Sequence, residues 1–247
     1  MALGGIEHIG YLLVSCTILI AGIFLIKKIS PFWQEVIFML LALTGAFGIF
    51  FRYAMHLSFD RGFDFITLLK QQLQVCNFNF ILLPAAVFTK NKRIKNYLFG
   101  FALFAASTTL ITYNRSLTQL PWYHISFINF WMNHFIAVLL PTLMLASGRY
   151  YPEKKYMMSV SIMVLLYFAL SGFGSWLLMT YEGVSRMDTY SFVFVPEGVW
   201  IFEWLYSWIP IYFVYLLPIY PVLVLWLYGF AHVFENKKHH IIEKHHT

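Results

Sequence analysis

Seven long apolar segments are the feature of this sequence that most restricts its fold. A helix needs roughly 20 mostly apolar residues to cross the hydrocarbon core of a bilayer. The segments lie at about 9–26, 33–51, 71–89, 96–112, 124–147, 156–180 and 208–233. Because seven spans nearly exhaust 247 residues, we predict an all-α polytopic membrane bundle. Residues 1–235 form its single transmembrane domain and residues 236–247 form a tail.

The composition agrees with a chain that lies mostly in lipid. Hydrophobic residues make up 60% of the sequence and charged residues only 11%, whereas a soluble domain carries about 25% charged residues. This balance excludes a soluble globular domain. Basic loops on one side of a membrane account for the net charge of +6, so we expect no nucleic-acid partner.

The charges of the loops predict the orientation of the spans. Basic residues dominate every second connection, at residues 27–28, 90–95 and 149–155, and again in the tail. The connections between them are nearly neutral or acidic. Since cytoplasmic loops are enriched in Lys and Arg, we predict an external N-terminus, a cytoplasmic C-terminus and a location in the cell membrane.

Two regions near the C-terminus differ from a plain apolar helix. Residues 191–207 carry too many charges to cross the bilayer, so we expect them to lie along the interface with Trp200 and Trp204 at headgroup level. The last span contains three prolines, which remove backbone donors and bend a helix. They are Pro210, Pro218 and Pro221.

Polar side chains occur within the third span, where each is costly and marks a candidate functional site. Gln72, Cys76 and Asn79 share one face of a helix, because positions three and four residues apart align. Asn77 follows the cysteine directly. Loop charges place this face in the outer half of the bilayer.

The fifth span carries a second polar group, Asn133 and His134. His134 lies about ten residues into the span, or roughly 15 Å at the rise of an α-helix. Cys76 lies somewhat shallower, and both spans enter from the same side, so the thiol and the imidazole are at compatible depths. His8 begins the first span on that side.

A thiol and an imidazole at similar depth indicate a nucleophile and its base. The imidazole of His134 can accept the proton of Cys76. The amides of Asn77 and Asn79 can orient the base or donate to an oxyanion.

The same residues also have structural interpretations. A cysteine in a membrane helix commonly only packs, which is our interpretation of Cys16, and Asn, Gln and His commonly join helices. The four histidines in the tail lack an ordered ligand spacing. We therefore predict no metal site and no cofactor.

Several segments together resemble the family of YwaF-like integral membrane proteins, to which transmembrane protein 164 belongs. They are GIEHIGYLL, LLKQQLQVCNFNFILLP, WMNHFIAVLLP and SWIPIYFVYLLP. The second is similar to a Leu-Pro-Leu-His-Leu-Cys-Asn segment, although Gln74-Val75 stands where that pattern has His-Leu. The resemblance implies an acyltransferase in which Cys76 is the nucleophile and His134 its base.

The residues and the resemblance favour an enzyme that moves a fatty acyl chain through a Cys76 thioester at the outer leaflet. The donor is a membrane phospholipid, and the acceptor is a lysolipid or the amine of a lipoprotein. In this hypothesis Gln72, Asn77, Asn79, Asn133 and His8 bind or orient the substrate. Two alternatives stay open: a small-molecule transporter or permease, whose amides line a path, and a non-catalytic lipid-binding protein.

Overall fold

A computed structural model describes residues 5–59, 65–112, 121–186, 189, 192–196 and 199–244, with side chains outside 52–59, 67–68 and 236–244. Ten α-helices are described: α1 Ile6–Ile26, α2 Pro31–Phe59, α3 Phe65–Gln72, α4 Val75–Phe88, α5 Lys92–Asn96, α6 Ala102–Thr112, α7 Ile125–Ala146, α8 Met157–Tyr181, α9 Trp200–Trp208 and α10 Ile219–Lys244. A π-helical turn, Tyr97–Phe101, joins α5 to α6, and 3-10 turns lie at Lys154–Tyr156 and Val214–Leu216. The predicted all-α fold is confirmed.

Six described stretches are long and apolar enough to cross a membrane. They are Ile6–Ile26, Pro31–Phe51, Lys92–Thr112, Ile125–Ala146, Lys154–Tyr181 and Val214–Glu235. The predicted third span contributes a shorter apolar helix, α4, of 14 residues. At 1.5 Å per residue α4 measures about 21 Å, less than the roughly 30 Å hydrocarbon core.

The prediction of one continuous third span is wrong. α3 ends at Gln72 and α4 begins at Val75, so the chain breaks at Leu73 and Gln74. The helical ladder is interrupted because side chains occupy the carbonyls of Gln71 and Leu73. Gln72 therefore does not share a helix face with Cys76, whereas Asn79 still does.

The prediction of one continuous helix over residues 208–233 is also wrong. α9 ends at Trp208, Pro210 has no N–H for a further turn, and Ile209 is held outside helical geometry at φ −128° and ψ 78°. Only from Ile219 does α10 run on as a regular helix. Residues 200–208 form a short helix whose Trp200, Trp204 and Trp208 are exposed.

Three of the predicted basic loops meet at one end of the bundle, which we call the basic end. Arg149 pairs with Glu35 at 3.2 Å, and Glu153 pairs with Lys92 at 2.6 Å and Lys155 at 3.0 Å. Burial opposes ionisation of Glu153, but hydrogen bonds and charges from the two lysines outweigh it, so the pKa of this carboxyl lies below its usual value. The short connections that are rich in Lys and Arg thus share one face of the molecule.

The buried core is formed mainly by α2, α4, the π-helical turn, α6, α7, α8 and α10, while α1 leaves most of its apolar side chains exposed. α2 approaches its neighbours closely through two glycines. A Cβ on Gly45 would lie 3.3 Å from Ile136 and 3.4 Å from Leu83, and one on Gly48 would collide with the Asn133 amide. The backbone of α2 therefore lies directly against α4 and α7.

Candidate functional site

Cys76 is the second residue of α4, and its side chain is partly buried. Gln74 occupies the N-cap position of α4. Its backbone is extended, and its side chain makes no capping hydrogen bond. Within the described chain, the backbone N–H groups of Val75, Cys76 and Asn77 have no hydrogen-bond acceptor. The first turn of α4 therefore brings unpaired donors and the positive end of a helix dipole close to the thiol.

Polar side chains of other helices lie near this thiol. The Thr109 hydroxyl on α6 lies beside Cys76 and donates to the Ala105 carbonyl at 2.8 Å. The Tyr167 phenol on α8 lies near both Cys76 and Tyr97. The Tyr97 hydroxyl is buried and has no hydrogen-bond partner among the described residues. Cys76 thus has polar neighbours on two other helices, α6 and α8.

The break between α3 and α4 is held by side-chain hydrogen bonds. Asn77 donates its amide N–H to the Gln71 carbonyl at 2.7 Å. The hydroxyls of Tyr167 and Ser171 both donate to the Leu73 carbonyl at 2.7 Å. Asn77 was predicted to orient a base or bind an oxyanion. In the structure its side-chain N–H instead stabilises the break between α3 and α4.

The same contacts locate the junction along the bundle. Ser171 lies ten residues before α8 ends at Tyr181, which corresponds to about 15 Å of helix beyond the contact. The start of α4 is therefore recessed between its neighbours instead of lying at their ends. A substrate for this site would have to enter between helices.

A double-mutant cycle can measure the support given to the Leu73 carbonyl. We expect Tyr167→Phe or Ser171→Ala alone to cost about 0.5–1 kcal/mol in unfolding free energy, because the other hydroxyl still satisfies the carbonyl. The double variant should cost about 2–3 kcal/mol, more than the sum, since it leaves a buried acceptor unpaired. Unfolding of all four proteins in one detergent gives the comparison, and strict additivity would contradict it.

His134 lies on α7 and faces α4. Its Nδ1 is 2.8 Å from the Phe130 carbonyl oxygen, which can only accept, so Nδ1 carries the hydrogen in the neutral ring. Its ring meets that of Phe80 edge to face, with centroids 5.1 Å apart. Because Phe80 follows Cys76 by four residues on α4, His134 contacts the face of α4 that bears Cys76, about one turn deeper.

Amide oxygens are buried in the same region without hydrogen-bond partners among the described residues. They belong to Asn79 on α4 and to Asn129 and Asn133 on α7. The Asn129 amide nitrogen donates to the Gly48 carbonyl at 3.2 Å. Unpaired oxygens of this kind are uncommon in membrane interiors, so they are candidates for binding a donor group of a ligand.

Two of the predicted substrate-orienting residues lie outside α4 and α7. The His8 Nε2 lies 2.9 Å from the Leu110 carbonyl oxygen at the end of α6, and its ring packs edge to face on Trp131. This contact attaches α1 to α6 and α7. Gln72 ends α3 and is partly buried.

The polar residues that α6 and α8 contribute to the site are not apparent from the sequence. Thr109, Tyr167 and Ser171 occur in apolar spans in which isolated hydroxyls are common and bond to their own helix. Only Tyr167 could have indicated a site from the sequence, because a phenol in the middle of a span needs a hydrogen-bond partner for its O–H. Among the described residues no group of three His, Cys, Asp or Glu side chains could hold a metal ion.

These features define an all-helical multi-pass membrane protein with a cysteine at an uncapped helix start inside the bundle. A model of the TMEM164 family matches residues 3–228. The chain therefore belongs to the TMEM164 family, as the resemblance implied. No curated protein and no solved structure matches it.

Proposed function

We propose that this protein is a membrane-embedded acyltransferase that carries a fatty acyl chain on Cys76. The observation on which the proposal rests is the position of Cys76 in the first turn of α4, among backbone N–H groups without acceptors. A helix N-terminus favours a thiolate over a thiol. It also favours the negative oxygen that forms when a carbonyl is attacked.

The first half-reaction forms a thioester. His134 takes the proton of Cys76, and the sulfur attacks the carbonyl carbon of a phospholipid acyl ester. The C–S bond forms and the ester C–O bond breaks. The departing lysolipid oxygen receives the proton from the imidazolium. The N–H groups of Val75, Cys76 and Asn77 are the donors available to the intermediate oxyanion.

The second half-reaction returns the enzyme to its starting state. A hydroxyl of a lysolipid, or the amine of a lipoprotein, attacks the thioester carbonyl. The C–S bond breaks and the acceptor's proton passes through His134 to the sulfur. Both substrates carry their own apolar anchors, which suits a cysteine that is recessed between helices and reached from the bilayer.

Mass spectrometry of the intact protein tests the covalent step. After incubation with phospholipid, we expect wild type and Cys16→Ala to gain the mass of one acyl chain. Hydroxylamine, which cleaves thioesters, should remove it. Cys76→Ala should gain none. The control is well matched, because Cys16 is the other free cysteine and is exposed on α1.

An adduct that maps to Cys16, or an acyl chain that persists in Cys76→Ala, would contradict the proposal. So would acyl transfer at the wild-type rate with no adduct at Cys76 under single-turnover conditions.

A further inference from the structure

A cavity of about 410 Å³ opens at the basic end, at the opposite end of α4 from Cys76. It lies between the end of α4, the start of α5 and the segment after α7. Four cations and one carboxylate line it: Lys90, Lys92, Lys95, Arg149 and Glu153.

The charges in this cavity are not balanced by the protein. Glu153 is shared by Lys92 and by Lys155, and Arg149 pairs with Glu35. Within the described chain Lys90 and Lys95 belong to no ion pair. Lys95 is nevertheless partly buried, and an ammonium group withdrawn from water without a counterion is costly. The cavity therefore has the charge to accept an anion.

Basic residues in loops facing the cytoplasm are expected in any membrane protein, but that rule does not require them to converge. Here two connections far apart in sequence place their cations around one cavity, and a buried hydrogen bond holds them together. Tyr150 donates its hydroxyl to the Asn96 oxygen at 3.1 Å, joining the segment after α7 to α5. The cavity is thus a product of the tertiary fold.

The cavity also has an apolar border. Phe88, the last residue of α4, lines it and is 62% exposed. A cationic cavity next to an exposed aromatic ring at the end of a membrane helix fits a ligand with a phosphate and an acyl chain. We infer that this cavity binds the phosphate of an anionic phospholipid from the leaflet at the basic end, separately from the Cys76 site.

Native mass spectrometry of the full-length protein can test this site. The protein is released from nanodiscs of phosphatidylcholine mixed with phosphatidylglycerol, and the retained phosphatidylglycerol is measured. Each cation near an anionic headgroup contributes a factor of about five in affinity. We therefore expect Lys90→Gln combined with Lys95→Gln to weaken retention about 25-fold.

Three controls make the result decisive. Lys27→Gln combined with Lys28→Gln removes the same charge from a neighbouring loop that does not line the cavity, and retention should stay within about twofold of wild type. Lys90→Arg combined with Lys95→Arg keeps the charge and should retain the lipid. Matching melting temperatures in detergent show that each variant is folded.

Equal losses in the two glutamine variants would mean general surface attraction and would overturn the inference. Retention of phosphatidylcholine at the same level would also overturn it. The third contrary result is displacement of the lipid by inorganic phosphate at equal concentration, which would identify a site for free phosphate. None of these outcomes depends on acyl transfer, so the site can fail or stand independently of the Cys76 proposal.

Discussion

Replacement of Cys76 by alanine should lower the rate of acyl transfer at least about 10³-fold, since the reaction loses its nucleophile. Cys76→Ser should fall nearly as far, because a serine hydroxyl is much less acidic than a thiol. Both variants should fold normally, because the Cys76 side chain is only partly buried and both replacements are of similar or smaller size. The measurement is transfer of a labelled acyl chain between lipids in proteoliposomes.

Two further variants serve as comparisons for the loss of activity in Cys76→Ala. Cys16→Ala should keep the wild-type rate, since Cys16 is exposed on α1. His134→Gln should be slower than wild type yet regain part of its rate as the pH rises and the thiol ionises without help. A wild-type rate in Cys76→Ala would exclude the thioester. Solute flux into liposomes that survives loss of both Cys76 and His134 would favour the permease alternative.

Replacement of Gly48 by alanine should destabilise the protein by about 1–3 kcal/mol, the usual cost of overpacking. For a chain of this size that corresponds to a fall of roughly 5 °C in Tm. The added methyl would collide with the side chain of Asn133. Relief requires α2 and α7 to separate or Asn133 to turn away, and either change disturbs the neighbouring His134. We therefore expect lower acyl-transfer activity as well, measured beside thermal unfolding.

The protein offers a matched control and a rescue for this variant. Gly229 on α10 has open space where a Cβ would lie, so Gly229→Ala should be neutral or slightly stabilising, because alanine is the better helix former. Asn133→Ala in the Gly48→Ala background removes the colliding amide. It should restore much of the lost stability. A double variant less stable than Gly48→Ala alone would show that the collision is not the cause.

Some residues of the Cys76 site could be predicted from the sequence, and others could not. The thiol, its following Asn77 and His134 could be singled out because a polar group within an apolar run is visible in one dimension. The contacts of Thr109 and Tyr167 with that thiol could not be predicted, since they depend on which helices are adjacent. The assignment of Gln72 to the Cys76 face failed because it assumed an unbroken helix.

That break is stabilised in large part from outside its own segment. The donors that satisfy the Leu73 carbonyl come from Tyr167 and Ser171, which are 94 and 98 residues later in the chain. No local propensity in residues 71–77 reveals them. The hydrogen bonds that hold the chain at Leu73, next to the start of α4, therefore depend on packing against α8.

The sequence by itself determined the class of fold. A bilayer leaves no water for backbone groups, so long apolar runs must fold as helices, and six described stretches are long enough to cross it. Tertiary structure alone decided where the third run breaks, which hydroxyls reach Cys76, and that cations from two distant connections surround one cavity. Those outcomes follow from hydrogen bonds and steric contacts between helices, which are specified only when the helices pack.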